Sequence, residues 1–155
     1  MNIIERIGVF LEKGEVDKAL IYSFSKNIGV NFPLIYIDMI SKHNQLYPER
    51  NIFEFKEGVM DDERDIVFLG FGENSSENIE DISCDGYGHE GVVVFGRSAN
   101  GDYIAFDYRK NPNSCEPEIV LMYHDQYTKD KSGDPKLLVV KIADDFDSFI
   151  NMLHE

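Results

Sequence analysis

Gly91-Val92-Val93-Val94-Phe95-Gly96-Arg97-Ser98-Ala99-Asn100-Gly101-Asp102-Tyr103-Ile104-Ala105-Phe106-Asp107 is two short apolar runs split by Asn-Gly. The runs are β-branched and aromatic, as strands prefer. Asn-Gly accepts the positive φ angles of a two-residue hairpin turn at little cost, so this stretch predicts a β-hairpin. Similar runs lie at Ile52–Phe55, Asp65–Phe71, Glu118–Tyr123 and Lys136–Ile142, each bounded by Gly, Asn, Asp or Pro. The spacing across 101–123 predicts a second antiparallel pair joined by the Asn- and Pro-rich loop Arg109–Pro117.

On the N-terminal side the period changes to that of a helix. Ile3, Ile4, Ile7, Phe10 and Leu11 predict a helix over 2–13, before Gly14. Val16, Ala19, Leu20, Ser23 and Phe24 predict one over 15–28, closed by Gly29. Pro33 suits a first helical position and opens a third helix over 33–43. At the C-terminus Phe146, Phe149, Ile150 and Leu153 share a helical face, with Asp144 as the expected N-cap. Helices, then strands, then a helix read as α+β: a mostly antiparallel sheet of about six strands, flanked by N-terminal helices and one C-terminal helix. With 155 residues and no linker or repeat, residues 1–155 read as a single domain.

Charge is the most informative arithmetic. The 29 acids outweigh the 15 Lys and Arg, for a net charge of −14. Nucleic-acid binding needs a basic surface, and adsorption to an anionic membrane needs cations, so neither partner is expected. No apolar run approaches the length of a membrane span. Met1-Asn2-Ile3-Ile4-Glu5-Arg6 lacks the basic start of a signal peptide, so a cytoplasmic location is expected. Residues 61–91 hold ten acids and one base, Arg64. Like charges packed together repel, which invites either a basic partner or a solvated acidic loop that only aids solubility.

Catalytic and metal chemistry finds little support. Cys84 and His89 lie five apart in a Gly-rich stretch, and a small Cys–His hydrolase is the enzymatic alternative, but the surrounding carboxylates oppose a thiolate. Two cysteines and four histidines lack zinc-site spacing. Asp61–Asp65 and Asp81–Glu90 do not match a calcium loop. Gly70-Phe71-Gly72 and Gly86-Tyr87-Gly88 lack the rest of a phosphate loop. His124 and Asp125, adjacent on a strand, point to opposite faces, so a satisfied edge histidine is expected. No cofactor and no metal are expected.

Three segments carry a family likeness. The first is Ile28-Gly29-Val30-Asn31-Phe32-Pro33 running into Ile37-Asp38-Met39-Ile40-Ser41-Lys42-His43-Asn44. The second is Asn100–Asp107 followed by Ile119-Val120-Leu121-Met122-Tyr123-His124-Asp125. The third is Ile142-Ala143-Asp144-Asp145-Phe146-Asp147-Ser148-Phe149-Ile150. In this order, over roughly residues 15–155, the chain resembles the SMI1/KNR4 family of the SUKH superfamily. The resemblance implies an α+β fold and a binding module rather than a catalyst. Many bacterial members are similar to immunity proteins against toxins, often nucleases, while fungal relatives are regulators. A regulatory interaction module without a toxin partner is therefore the alternative within binding proteins.

Charge and resemblance together predict an acidic face that plugs a basic protein surface, most simply that of a toxin domain. Its expected contributors are Asp61, Asp62, Glu63, Glu73, Glu77, Glu80, Asp81, Asp85, Glu90, Asp102 and Asp107, with Tyr87 and Tyr108 as aromatic anchors. Phe71, Tyr103, Tyr123 and Tyr127 are further aromatic candidates, although half or more of these rings are expected to fill the core.

Overall fold

The structure, a computed structural model, describes residues 2–82 and 89–155. Among them the order is α1 (Ile3–Ile7), α2 (Lys18–Ile28), α3 (Leu34–Lys42), β1 (Ile52–Glu57), β2 (Met60–Asp65) and β3 (Val67–Phe68). A 3-10 turn (Ile79–Asp81), β4 (Val92–Arg97), β5 (Tyr103–Asp107), β6 (Glu118–Lys129), β7 (Pro135–Ala143) and α4 (Phe146–Met152) follow. The strands form a two-stranded sheet, β1-β2, and a five-stranded sheet in the order β3-β4-β5-β6-β7. All pairings between these strands are antiparallel. The α+β class is as the sequence predicts. No helix among the described residues is long and apolar enough to cross a membrane.

The core is aromatic. Tyr36 of α3 packs edge-on against Phe95 of β4, Phe106 of β5 and Phe146 of α4, with ring centroids 5.9, 5.1 and 5.5 Å away. Phe95 and Phe106 stack across the β4-β5 pair at 4.2 Å. Such pairs contribute roughly 0.5–1.5 kcal/mol each beyond the area they bury, so α3 and α4 are fixed to the centre of the large sheet.

Four details differ from the sequence reading. The first helix stops at Ile7, where Gly8 ends it. Phe10 and Leu11 then donate their N–H groups to Tyr47 O, an extended pairing that no helical periodicity reveals. The last helix is capped by Asp145, not Asp144: the Asp145 carboxylate accepts from Ser148 N at 2.8 Å. The 98–102 connection is longer than two residues, with Ser98 N donating to Asp102 O at 2.8 Å. Finally, the acidic segment 60–65 is a strand, β2, where a solvated loop is the simpler expectation.

Candidate functional site

β2 forms because a tight turn returns it along β1. Gly58 has φ +63° as the first central residue of Glu57-Gly58-Val59-Met60, the arrangement of a type II′ hairpin. Directly opposite residues share a face. Phe53 and Phe55 are buried, and opposite them stand Arg64 and Asp62. Glu54 and Glu63 face each other on the other side, as do Lys56 and Asp61. The Glu54–Glu63 pair places like charges in register, which is unfavourable. His154 relieves it, lying 2.7 and 2.8 Å from the two Glu54 carboxylate oxygens. A bond to the Glu155 carbonyl, then the one to Glu54, raises the His154 pKa.

Arg64 is the anchor of this hairpin. Its side chain is 14% exposed and lies against the rings of Phe55 and Tyr123, at 5.4 and 5.8 Å. It donates to Asp102 Oδ2 at 2.9 Å, stands 2.9 Å from Asp62 Oδ1, and donates to Glu63 O at 2.7 Å. Tyr123 donates its hydroxyl to Glu57 at 2.7 Å, a second tie to the sheet. Glu63 N donates to the Asp62 carboxylate. Both backbone polar groups of Glu63 are thereby satisfied by side chains, which blunts β2 as a template for strand addition.

Asp102 is the hub beneath. Only 1% of its side chain is exposed, yet it receives Arg64, the His124 backbone N–H at 3.0 Å, His124 Nδ1 at 2.5 Å and Asn100 Nδ2 at 3.2 Å. A bulge frees that backbone N–H. Between Met122↔Val139 and Tyr127↔Leu137, β6 advances five residues while β7 advances two. Burial works to raise the Asp102 pKa, but hydrogen bonds from His124 and Arg64 outweigh it and hold the carboxyl low. The same bond to Asp102 raises His124. Asp102, His124 and Asp125 could offer metal ligands within 4.8 Å of one another. Arg64 and three N–H donors already occupy Asp102 there. His124 is satisfied by Asp102, as expected, but it lies at the bulge of an interior strand rather than on an edge, and its Nε2 comes within 3.9 Å of Asp125 Oδ2 instead of facing away from it.

The second acidic region is built on residues 70–81. Asn44, buried at the end of α3, donates to Phe71 O and accepts from Phe71 N, both at 2.9 Å. Gln45 accepts from Ser76 N at 2.8 Å and Ser75 Oγ at 3.0 Å. Gly70 lets this clamp close: a Cβ there would lie 2.3 Å from Ser75 Oγ and 2.6 Å from Asn44 Oδ1. Glu77 is tied by both oxygens to Arg97, at 2.6 and 2.7 Å, and this pairing lowers its pKa. Glu80 accepts from Gly72 N at 3.1 Å. Glu80 and Asp81, with Glu90, rim a cleft of about 480 Å³ whose walls include Phe24, Asn27, Ile28, Val30, Ile82 and Val92. Glu90 also borders a neighbouring concavity lined by Arg109, Lys129, Lys131 and Lys136, without an ion pair to any of them.

The acids predicted as one face thus separate. Asp61, Asp62 and Glu63 are exposed on the hairpin, which joins the large sheet at its 98–102 end through Asp65, Ser98 and Ala99. Glu80, Asp81 and Glu90 lie around Val92 and Val93, at the other end of β4. Those ends are five strand steps apart, about 17 Å. Glu73 is exposed on the connecting loop. Asp102 is internal, and Asp107 is held by Arg109 at 2.9 Å through two oxygens. Tyr108 is core, its hydroxyl donating to Asn31 O at 2.6 Å. Phe71 and Tyr123 are buried, while Tyr127 is exposed. Asp85, Tyr87 and Cys84 lie outside the described residues. His89 donates from Nε2 to Leu137 O at 2.6 Å, and its Nδ1 faces Arg109 at 3.3 Å, so both ring nitrogens are engaged. The sequence reading missed Asn44, Gln45, Arg64 and Arg97 as the residues that hold the acidic segments in place. Only the solitary base inside the acidic run was a usable signal.

A family model described as the SMI1 / KNR4 family (SUKH-1) matches residues 15–152. No curated protein and no solved structure matches the chain.

Proposed function

The chain belongs to the SMI1/KNR4 family (SUKH-1), and from that premise we propose that it is a non-catalytic immunity protein of the cytoplasm. It binds a cognate toxin, most simply a nuclease, and blocks the toxin's basic surface with its own carboxylates. A nuclease must present Lys and Arg to phosphate, and an acidic surface can occupy that groove in place of nucleic acid. The observation that supports the reading is the display of two groups of exposed carboxylates, Glu80, Asp81 and Glu90 around the Val92–Val93 end of β4 and Asp61, Asp62 and Glu63 on a hairpin anchored by Arg64 to Asp102. Complementary fields of this kind speed encounter and select partners, while desolvated contacts at the centre set the lifetime. The test has two steps: inspect the genes beside this one for a toxin with a basic C-terminal domain, then titrate the chain against that domain. Raising salt from about 50 to about 300 mM should weaken association at least roughly tenfold, since screening shortens the reach of exposed charges. An affinity indifferent to salt, or no protection of cells expressing the toxin, would reject the reading.

A further inference from the structure

The cleft at the Val92–Val93 end of β4 has two properties that point the same way. Its walls are largely aliphatic and aromatic: Phe24, Ile28, Val30, Ile82 and Val92. Its rim is anionic: Glu80, Asp81 and Glu90. One wall is the last turn of α2, an 11-residue helix, and a helix C-terminus carries the negative end of the peptide dipoles. Of the cations on the far side of Glu90, Arg109 has its guanidinium on Asp107 and against His89, Lys136 is paired with Asp130, and Lys129 and Lys131 line the neighbouring concavity without an ion pair to Glu90. Glu80 is fixed by Gly72 N–H through one oxygen, which leaves lone pairs for a second donor. Asp81 forms no ion pair among the described residues.

We infer that this cleft is a subsite for one arginine or lysine side chain of the partner. The aliphatic stem lies against Ile28, Val30 and Ile82, and the charged head lies at the acidic rim, in the field of Glu80, Asp81 and Glu90. Long cationic side chains bury their methylene stems on apolar surface while the head keeps its polar partners, and both halves of such a side chain are matched here. A purely apolar ligand would leave the carboxylates desolvated, and a small cation would leave the apolar walls uncovered. The inference rests on the reading of the chain as a binder of a basic protein, but it is testable without that protein.

The probe is N-acetyl-argininamide, followed by amide chemical-shift changes in the isotope-labelled full chain. N-acetyl-citrullinamide, of the same length without the charge, is the control. The expected result is saturable shifts at Ile28, Ile82, Val92 and Val93 with the arginine probe and none with citrulline. Combining Glu80→Gln, Asp81→Asn and Glu90→Gln should weaken that binding at least fivefold. The amide oxygen that Glu80→Gln introduces can still accept from Gly72 N–H, and the spectrum itself reports whether the variant is folded. Equal binding of citrulline, shifts centred on Asp61–Glu63, or an unweakened triple variant would each overturn the inference. A toxin titration that stays salt-dependent in that case would leave the broader reading standing. Failure of the toxin titration with the arginine site intact would reject the broader reading alone.

Discussion

The hairpin acids and the cleft acids come from one continuous run of sequence, and the fold treats them differently. On the hairpin each acid has company: Asp62 meets Arg64 at 2.9 Å, Asp61 lies 3.9 Å from Lys56, and Glu63 sits near the His154–Glu54 pair. Around the cleft, Asp81 and Glu90 have no ion pair among the described residues, while Glu80 leans on a backbone N–H. The hairpin is anchored by side chains and ends in an apolar tip, with Val59 98% exposed. The cleft is concave and apolar inside. Counting charges along a chain therefore misjudges a surface field: cations folded in from elsewhere pair with part of one cluster, while near the other Arg109, Lys129, Lys131 and Lys136 border Glu90 without an ion pair to it.

The largest expected effect separates anchoring from display. Arg64→Ala leaves buried Asp102 without its guanidinium partner and should cost about 3 kcal/mol of stability in urea denaturation. A loss under about 1 kcal/mol would mean that the hairpin is held chiefly by Phe53 and Phe55. Next is a paired test of affinity for the toxin domain. Neutralising Glu80, Asp81 and Glu90 should weaken binding roughly a hundredfold, and neutralising Asp61, Asp62 and Glu63 roughly tenfold, because the hairpin acids are already partly compensated. The reverse ranking would place the main contact on the hairpin.

A smaller effect probes the turn alone. Gly58→Ala puts a Cβ into open space at φ +63°, so only backbone strain opposes it, about 1 kcal/mol. Thermal unfolding should show that small loss, with the arginine probe still bound at the cleft. The smallest is a titration. The bond to Asp102 raises His124 above its ordinary value near 6.5, so its contribution to stability is full below about pH 6.5 and is lost as pH rises through the folded-state value. Asp102 has the opposite sign: its contribution is present above about pH 3.9 and is lost as pH falls through its lowered value. Imidazole resonances should give His124 a pKa above 6.5 that falls in Asp102→Asn. An unchanged value in that variant would break the link between His124 and the Asp102 hub.

Much of the fold was legible because its signals are local. The Asn100-Gly101 turn, the β-branched runs of β4 to β7 and the apolar face of α4 report a period that needs no partner. β2 was not legible: Met60–Asp65 lacks strand composition, and it is a strand because Gly58 turns it onto β1 and Arg64 anchors it. The short first helix was misjudged for a similar reason, since Phe10 and Leu11 pair with the distant Tyr47. For the candidate site, the acidic excess was plain, but burial of Asp102 and Tyr108 was not.

The sequence by itself determined the α+β class, the hairpin about residue 100, the family likeness and the large negative charge. Those depend on residue type and near-neighbour spacing. Only the tertiary structure decided that the acidic run divides into two groups, which carboxylates turn inward as ion-pair partners, and that an apolar cleft lies beneath three of the others. Electrostatic work depends on distance and desolvation in space, and chain order fixes neither until strands and helices from distant segments have packed together.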